Sequence, residues 1–343
     1  MMNTLVQAQR AGSAEAPRTD PIALIPVLAA VAHPFLLMLF HGFVGPPGTE
    51  PSTLACLGAS LTLLLCVALP FLGIAIACRP DLPASLRRLA YTTVIAPTLF
   101  VFVGVVQGMF RSPVPDAWLW CLLWLVVAAV AVLFARNPDD HIASAGTARW
   151  RVAHGVSAAV ICLFILFHIG NHLAGLLGPQ THAAVMNIGR SVYRMKVVEP
   201  LLAALFLFQV ASGLRLAWRW SATPQGFFRT FQVASGIYLA VFCVGHMNSV
   251  FINARTILLI PTDWTFAVGG PTGLIHDPWN IRLAPHYALG VFFVLSHLLS
   301  GLRVVLLAHG GEQRSLNRIW LVGVLASAAI AVAIIAGMGG VRL

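Results

Sequence analysis

The chain has 343 residues, 59% of them hydrophobic and 9% charged, with 21 Lys+Arg against 11 Asp+Glu. Soluble domains carry about a quarter charged residues, so this composition excludes an ordinary soluble enzyme and points to an integral membrane protein. The basic excess has no nucleic-acid motif beside it and reads as headgroup anchoring, with the lipid bilayer as the first partner and no nucleic acid among the others.

Taken in chain order, residues 1–20 are polar and include Arg10, Glu15 and Arg18. The apolar run that follows contains an Ala-Val-Ala resembling a signal-peptidase site. It continues through Phe35 to Phe43, too long for a signal h-region, and is expected to remain as the first helix. Apolar runs of roughly twenty residues, enough to cross about 30 Å of hydrocarbon, fall near 22–44, 55–78, 90–110, 117–135, 153–177, 197–218, 231–254, 284–307 and 319–338. The expected fold is an all-α polytopic transmembrane helical bundle of about nine helices, the fourth being the shortest.

A polar link at 136–150 divides the chain into an N-terminal four-helix membrane region, 1–140, of unknown role, and a five-helix region, 148–343. In the first, His33 and His41 share a helix, and neither they nor Tyr91 and Gln107 have a partner that the sequence identifies. A structural or interfacial role is expected for them. The six cysteines, 56, 66, 78, 121, 162 and 243, lie in or beside apolar runs with no C-x-x-C spacing. They read as packing residues, not as a disulfide or zinc framework.

With the N-terminus inside, one side of the membrane holds Arg111, Arg190, Arg194, Lys196, Arg255, Arg282 and Arg342, leaving fourteen of the 21 basic residues in cytoplasmic segments. The positive-inside rule therefore favours an N-in, C-out arrangement, with a bacterial inner membrane as the expected location.

The second region repeats itself. Arg151 is followed at +6 by Ser157 and at +17 by His168, and Arg229 at +6 by Ser235 and at +17 by His246. Each stretch leads to a partner segment, Gln209-Val-Ala-Ser-Gly-Leu-Arg215 and His297-Leu-Leu-Ser-Gly-Leu-Arg303. The unit is a duplicated helical hairpin. Helix rise puts His168 and His246 at one level in the outer leaflet, and Gln209 and His297 at a second level toward the cytoplasm. Buried imidazoles paired across helices are what a membrane haem needs for its axial ligands. His168 and His246 are the expected ligands of one haem b. His297 facing Gln209 is a weaker second site, because a carboxamide ligates haem iron poorly. The competing reading makes these histidines hydrogen-bonded glue between helices.

Gly213 and Gly301 lie one turn beyond positions 209 and 297, where a missing side chain leaves room for a flat macrocycle or for close helix packing of the small-xxx-small kind. Arg215 and Arg303 could meet propionates near the cytoplasmic ends, and Arg190, Arg194 and Lys196 could do so outside. His154, His172, His182, His276 and His286 fall at helix ends or in loops and are expected to be interfacial. His172, at i+4 from His168, and Glu199, at the outer start of a helix, are candidates for quinone or proton handling.

The segment Arg151-Val-Ala-His154-Gly, the His168-Ile-Gly-Asn motif, Tyr193-Arg-x-x-x-x-Glu199 and the two x-x-Ser-Gly-Leu segments resemble the single-chain, five-helix, dihaem cytochrome b subunit of succinate dehydrogenases and fumarate reductases, over about 148–340. That resemblance implies a membrane anchor that carries b haems, exchanges electrons with quinone and docks beneath cytoplasmic iron-sulphur and flavoprotein subunits. His168 and His246 match the family's outer ligands and His297 one inner ligand, while Gln209 stands where the other should be. The four added N-terminal helices are a second departure. The alternative is a haem-free membrane scaffold or transporter derived from that family. No dinucleotide fingerprint, cysteine cluster or P-loop is present, so the chain alone is not expected to oxidise succinate.

Overall fold

The computed structural model describes residues 21–135 and 146–343; the polar N-terminus with Arg10, Glu15 and Arg18, and the core of the 136–150 link, lie outside the described residues. The described residues are helical, with no strand among them. In hydrocarbon a backbone can satisfy its polar groups only within its own segment or a closed barrel, and a chain this apolar takes the first route.

We number the long helices α1 (Ile25–Val44), α2 (Thr53–Ala77), α3 (Ala84–Thr93), α4 (Ala96–Met109), α5 (Asp116–Leu133), α6 (Ala148–Leu173), α7 (Pro179–Tyr193), α8 (Val198–Trp220), α9 (Phe227–Met247), α10 (Leu283–Ala308) and α11 (Gln313–Met338). Eight segments among the described residues are long and apolar enough to cross a membrane, and a ninth is formed if α3 and α4 are counted together. The chain is an integral membrane protein with an all-helical polytopic bundle.

The run at 90–110, expected as one straight helix, is broken. α3 and α4 meet at 67°. Proline has no N–H to donate to the carbonyl four residues back and collides with it; Pro97 stands four residues after Thr93, where α3 ends. Hydropathy alone does not register this. The bent pair still traverses the bundle once. At one end Arg87 donates to Ala222 O in the α8–α9 turn at 3.1 Å; at the other, Asn248 just past α9 donates to Met109 Sδ at 3.6 Å.

Helix ends sort to two faces. The upper face carries the 174–197 and 259–282 connections, and the lower face carries the turns at 221–226 and 309–312. On the upper face Asp116 at the start of α5 pairs with Arg282 beside α10 at 2.5 Å, and His276 meets Gly45 O beyond α1 at 3.3 Å. The N-terminal helices pack into the C-terminal ones: Ile74, Tyr91 and Val101 share one apolar core with Phe231, Tyr238 and Phe293.

Within the C-terminal region α6 packs on α8, α8 on α9 and α9 on α10. α6 makes at most glancing contact with α9 and α10. This open diagonal positions the site. Two further features escaped the hydropathy reading: α7 is an amphipathic helix along the upper face, and α9 widens past Met247 into a π-helical segment, Asn248–Leu258. π-Helical turns recur at functional sites.

Candidate functional site

The duplicated hairpin builds the same local arrangement twice. His168 stacks on Phe164, one turn earlier on α6, with ring centroids 5.6 Å apart at 17°. His246 stacks on Phe242, one turn earlier on α9, at 5.8 Å and 5°. The signal was present in the sequence as Phe-x-x-x-His in both repeats. The two imidazoles face each other across the α6–α9 gap with centroids 6.0 Å apart and ring planes at 69°.

A cavity of about 270 Å³ opens around them toward the upper face, walled also by His172, His182, Tyr193, Phe206 and Tyr287. Its mouth is basic. Arg190, Arg194, Glu199 and Arg255 line it, and Lys196, expected there, does not. Arg255 grips Glu199 through both carboxylate oxygens, at 2.6 and 3.2 Å. The other two guanidinium groups converge on neutral Thr262: Arg190 donates to its carbonyl at 2.8 Å and Arg194 to its hydroxyl at 2.8 Å. Arg190 Nε is buried without a partner among the described residues.

From His168 a file of rings leads upward. His172 lies 4.7 Å from His168, His182 lies 5.6 Å from His172, and Trp264 lies 4.8 Å from His182, all between centroids. His182, expected at an interface, is instead buried, as is His286. Among the described residues the Nδ1 atoms of His172 and His182 are buried without partners, while Asn171 Nδ2 meets His182 Nε2 at 3.2 Å. Burial first, then the neighbouring Arg190, pushes the His182 imidazole below its ordinary value. Asp263, Phe266 and Tyr287 form part of the cavity wall and also line a second cavity of about 590 Å³ on the upper face.

The lower level corrects an expectation. Gln209 does not face His297. Its Nε2 donates to Ser157 Oγ at 2.6 Å and His154 O at 2.9 Å, because α8 packs closely on α6 there. The imidazole opposite His297 is His154, with centroids 6.5 Å apart at 85°. His154 is thus not an interfacial helix-end residue. Gly213 lies under its ring: a Cβ there would come within 3.3 Å of His154 Cε1. Gly301 faces open space. Arg215 lies over Trp150 at 4.7 Å, and Arg303 is turned to Asn317 at 2.6 Å and to the Phe228 ring, which takes both from the simple propionate role expected of them.

The donor set narrows what the cavity can hold. No group of three or more His, Cys, Asp and Glu suited to a bare metal ion occurs among the described residues, and the six cysteines are unpaired. Two imidazoles alone suit an iron whose other four bonds come from a macrocycle. An iron held by nitrogens at about 2 Å on either side would separate the ring centroids by roughly 6 Å, which agrees with the 6.0 Å between His168 and His246. The chain matches no family model, no curated protein and no solved structure.

Proposed function

We propose that the chain is a membrane haem b protein that passes electrons between a quinone and a redox partner, in the manner of the succinate dehydrogenase and fumarate reductase cytochrome b subunits it resembles. The observation that carries this reading is the His168–His246 pair, set 6.0 Å apart across two helices that scarcely touch, inside an aromatic cavity with a basic mouth. When bound, the haem supplies a one-electron couple, Fe³⁺/Fe²⁺.

The chain's residues hold and tune it. His168 and His246 would hold its iron, their planes fixed by stacking on Phe164 and Phe242. Arg190 and Arg194, which have no carboxylate partner among the described residues, would receive propionates at the mouth. Glu199 is committed to Arg255 and serves to hold α8 against the π-helical segment. A quinol releases two protons and two electrons in two one-electron steps. His172 and His182, with unpartnered nitrogens beside the cavity, are suited to take those protons toward Asp263 and the upper cavity. The arginine distribution favours a cytoplasmic lower face, where iron-sulphur and flavoprotein partners would dock.

The test is an oxidised and dithionite-reduced spectrum of the purified chain, followed by reduction with a quinol. Low-spin b-type bands that appear with both reductants are expected, with the same component lost in His168→Ala and in His246→Ala. Absence of the bands from the parent protein, or spectra of both variants identical to the parent's, would reject the assignment.

A further inference from the structure

We propose that His154 and His297 are a second axial ligand pair for haem b, at the lower level of the same bundle. The inference rests on the haem reading of the upper pair.

The tautomers carry most of the argument. His154 Nδ1 lies 2.8 Å from Ser212 Oγ, and His297 Nδ1 lies 2.9 Å from Ser235 Oγ. A serine hydroxyl has one proton, and helix carbonyls take it in both cases: Phe208 O at 2.6 Å from Ser212 and Gln232 O at 3.1 Å from Ser235. With their protons on those carbonyls, both serines accept from histidine. In this arrangement each imidazole carries its hydrogen on Nδ1 and keeps its lone pair on Nε2. A metal-ligating histidine commonly has this form, its second nitrogen donating to a fixed neighbour. Among the described residues neither Nε2 receives a hydrogen bond, so each ring has an uncommitted lone pair.

Packing supports the same assignment. Each ring lies against a glycine: a Cβ at Gly213 would sit 3.3 Å from His154 Cε1, and one at Gly236 would sit 3.1 Å from His297 Cε1. The rings bridge α6 and α10, which hardly touch, so the pair spans a gap as His168 and His246 do. The repeat explains the exchange of partners. Gln209 bonds Ser157 as His297 bonds the equivalent Ser235, so both hairpins fold alike, and the ligand missing at 209 comes instead from α6. Helix α6 then gives one ligand to each level, His154 and His168, fourteen residues or about 21 Å apart.

The experiment is the haem-to-protein ratio by pyridine haemochrome, with low-spin EPR of the oxidised protein. The expected ratio is two in the parent chain and one in His154→Ala and His297→Ala. The signal that survives there should be the one that His168→Ala removes. Gly236→Ala and Ser212→Ala are the milder variants: each should displace the lower signal and leave the upper one unmoved. Gln209→His should leave the ratio at two. A parent ratio of one that His154→Ala and His297→Ala do not alter, with loss of all haem in His168→Ala, would overturn the second site and leave the first standing. A parent chain free of haem would overturn both.

Discussion

The N-terminal and C-terminal regions both bury histidine inside apolar helices, yet they do different things with it. His33 on α1 is wholly buried, with both ring nitrogens unpartnered among the described residues, and its neighbour is an aromatic edge, Phe100 at 5.7 Å, backed by Trp120 and Trp124. Around it the helices are closely packed, and Trp120 donates to Ala30 O at 2.7 Å. His168 and His246 meet another imidazole across a gap. Burial of a histidine in the membrane therefore does not by itself suggest a ligand; the haem proposal rests on a second imidazole 6.0 Å away, on a helix that stands off.

The largest expected effect breaks this contrast directly. His33→Leu should leave the haem spectrum unaltered, whereas His246→Ala should remove the upper haem completely. Loss of that haem in His33→Leu would mean that the N-terminal region helps to hold it.

Next in size is the ion pair that ties the regions together. Arg282, 8% exposed, is paired with Asp116 at 2.5 Å. Removing one member of such a pair leaves a buried charge and costs about 3–5 kcal/mol. Asp116→Asn should lower the thermal midpoint markedly with the haem bands unshifted. An unchanged midpoint would show that the pair is already solvated.

The basic mouth comes third. A charge-assisted hydrogen bond is worth about 1.5–3 kcal/mol, so Arg190→Ala or Arg194→Ala should each accelerate transfer of the upper haem to an acceptor protein by roughly tenfold or more. Equal rates in parent and variants would remove both residues from propionate binding.

The smallest effect is a pH dependence. Burial lowers the folded value of His182 below its ordinary 6.5, with Arg190 acting the same way and Asp263 opposing. Between the folded value and 6.5 the unfolded chain binds a proton that the folded chain refuses, so stability is complete above that window and falls as pH drops through it. Thermal scans of the parent should show this decline, and His182→Gln should lessen it. Identical slopes would exclude His182 as its source.

Much of the fold was legible because hydropathy reports burial in lipid: among the described residues eight of the nine apolar runs are helices long enough to cross a membrane, and the ninth is the bent pair α3–α4. What failed was geometry that hydropathy does not encode: the break imposed by Pro97, and the surface helix Pro179–Tyr193. At the upper level the +17 spacing was enough to bring His168 and His246 face to face, since they occupy equivalent positions of a repeat. At the lower level the repeat misled. Equivalent positions 209 and 297 need not face each other, and which helix stands opposite His297 depends on packing that brings α8 onto α6 and leaves α10 apart. Arg255, the partner of Glu199, was also hidden, being 56 residues away on the π-helical segment.

A cryo-EM map of the protein purified from its native membrane addresses the central claim most directly. The account predicts a flat density bridging the His168 and His246 rings, with its carboxylate arms at Arg190 and Arg194. Continuous lipid or side-chain density in that gap, with the two imidazoles turned to other partners, would contradict it.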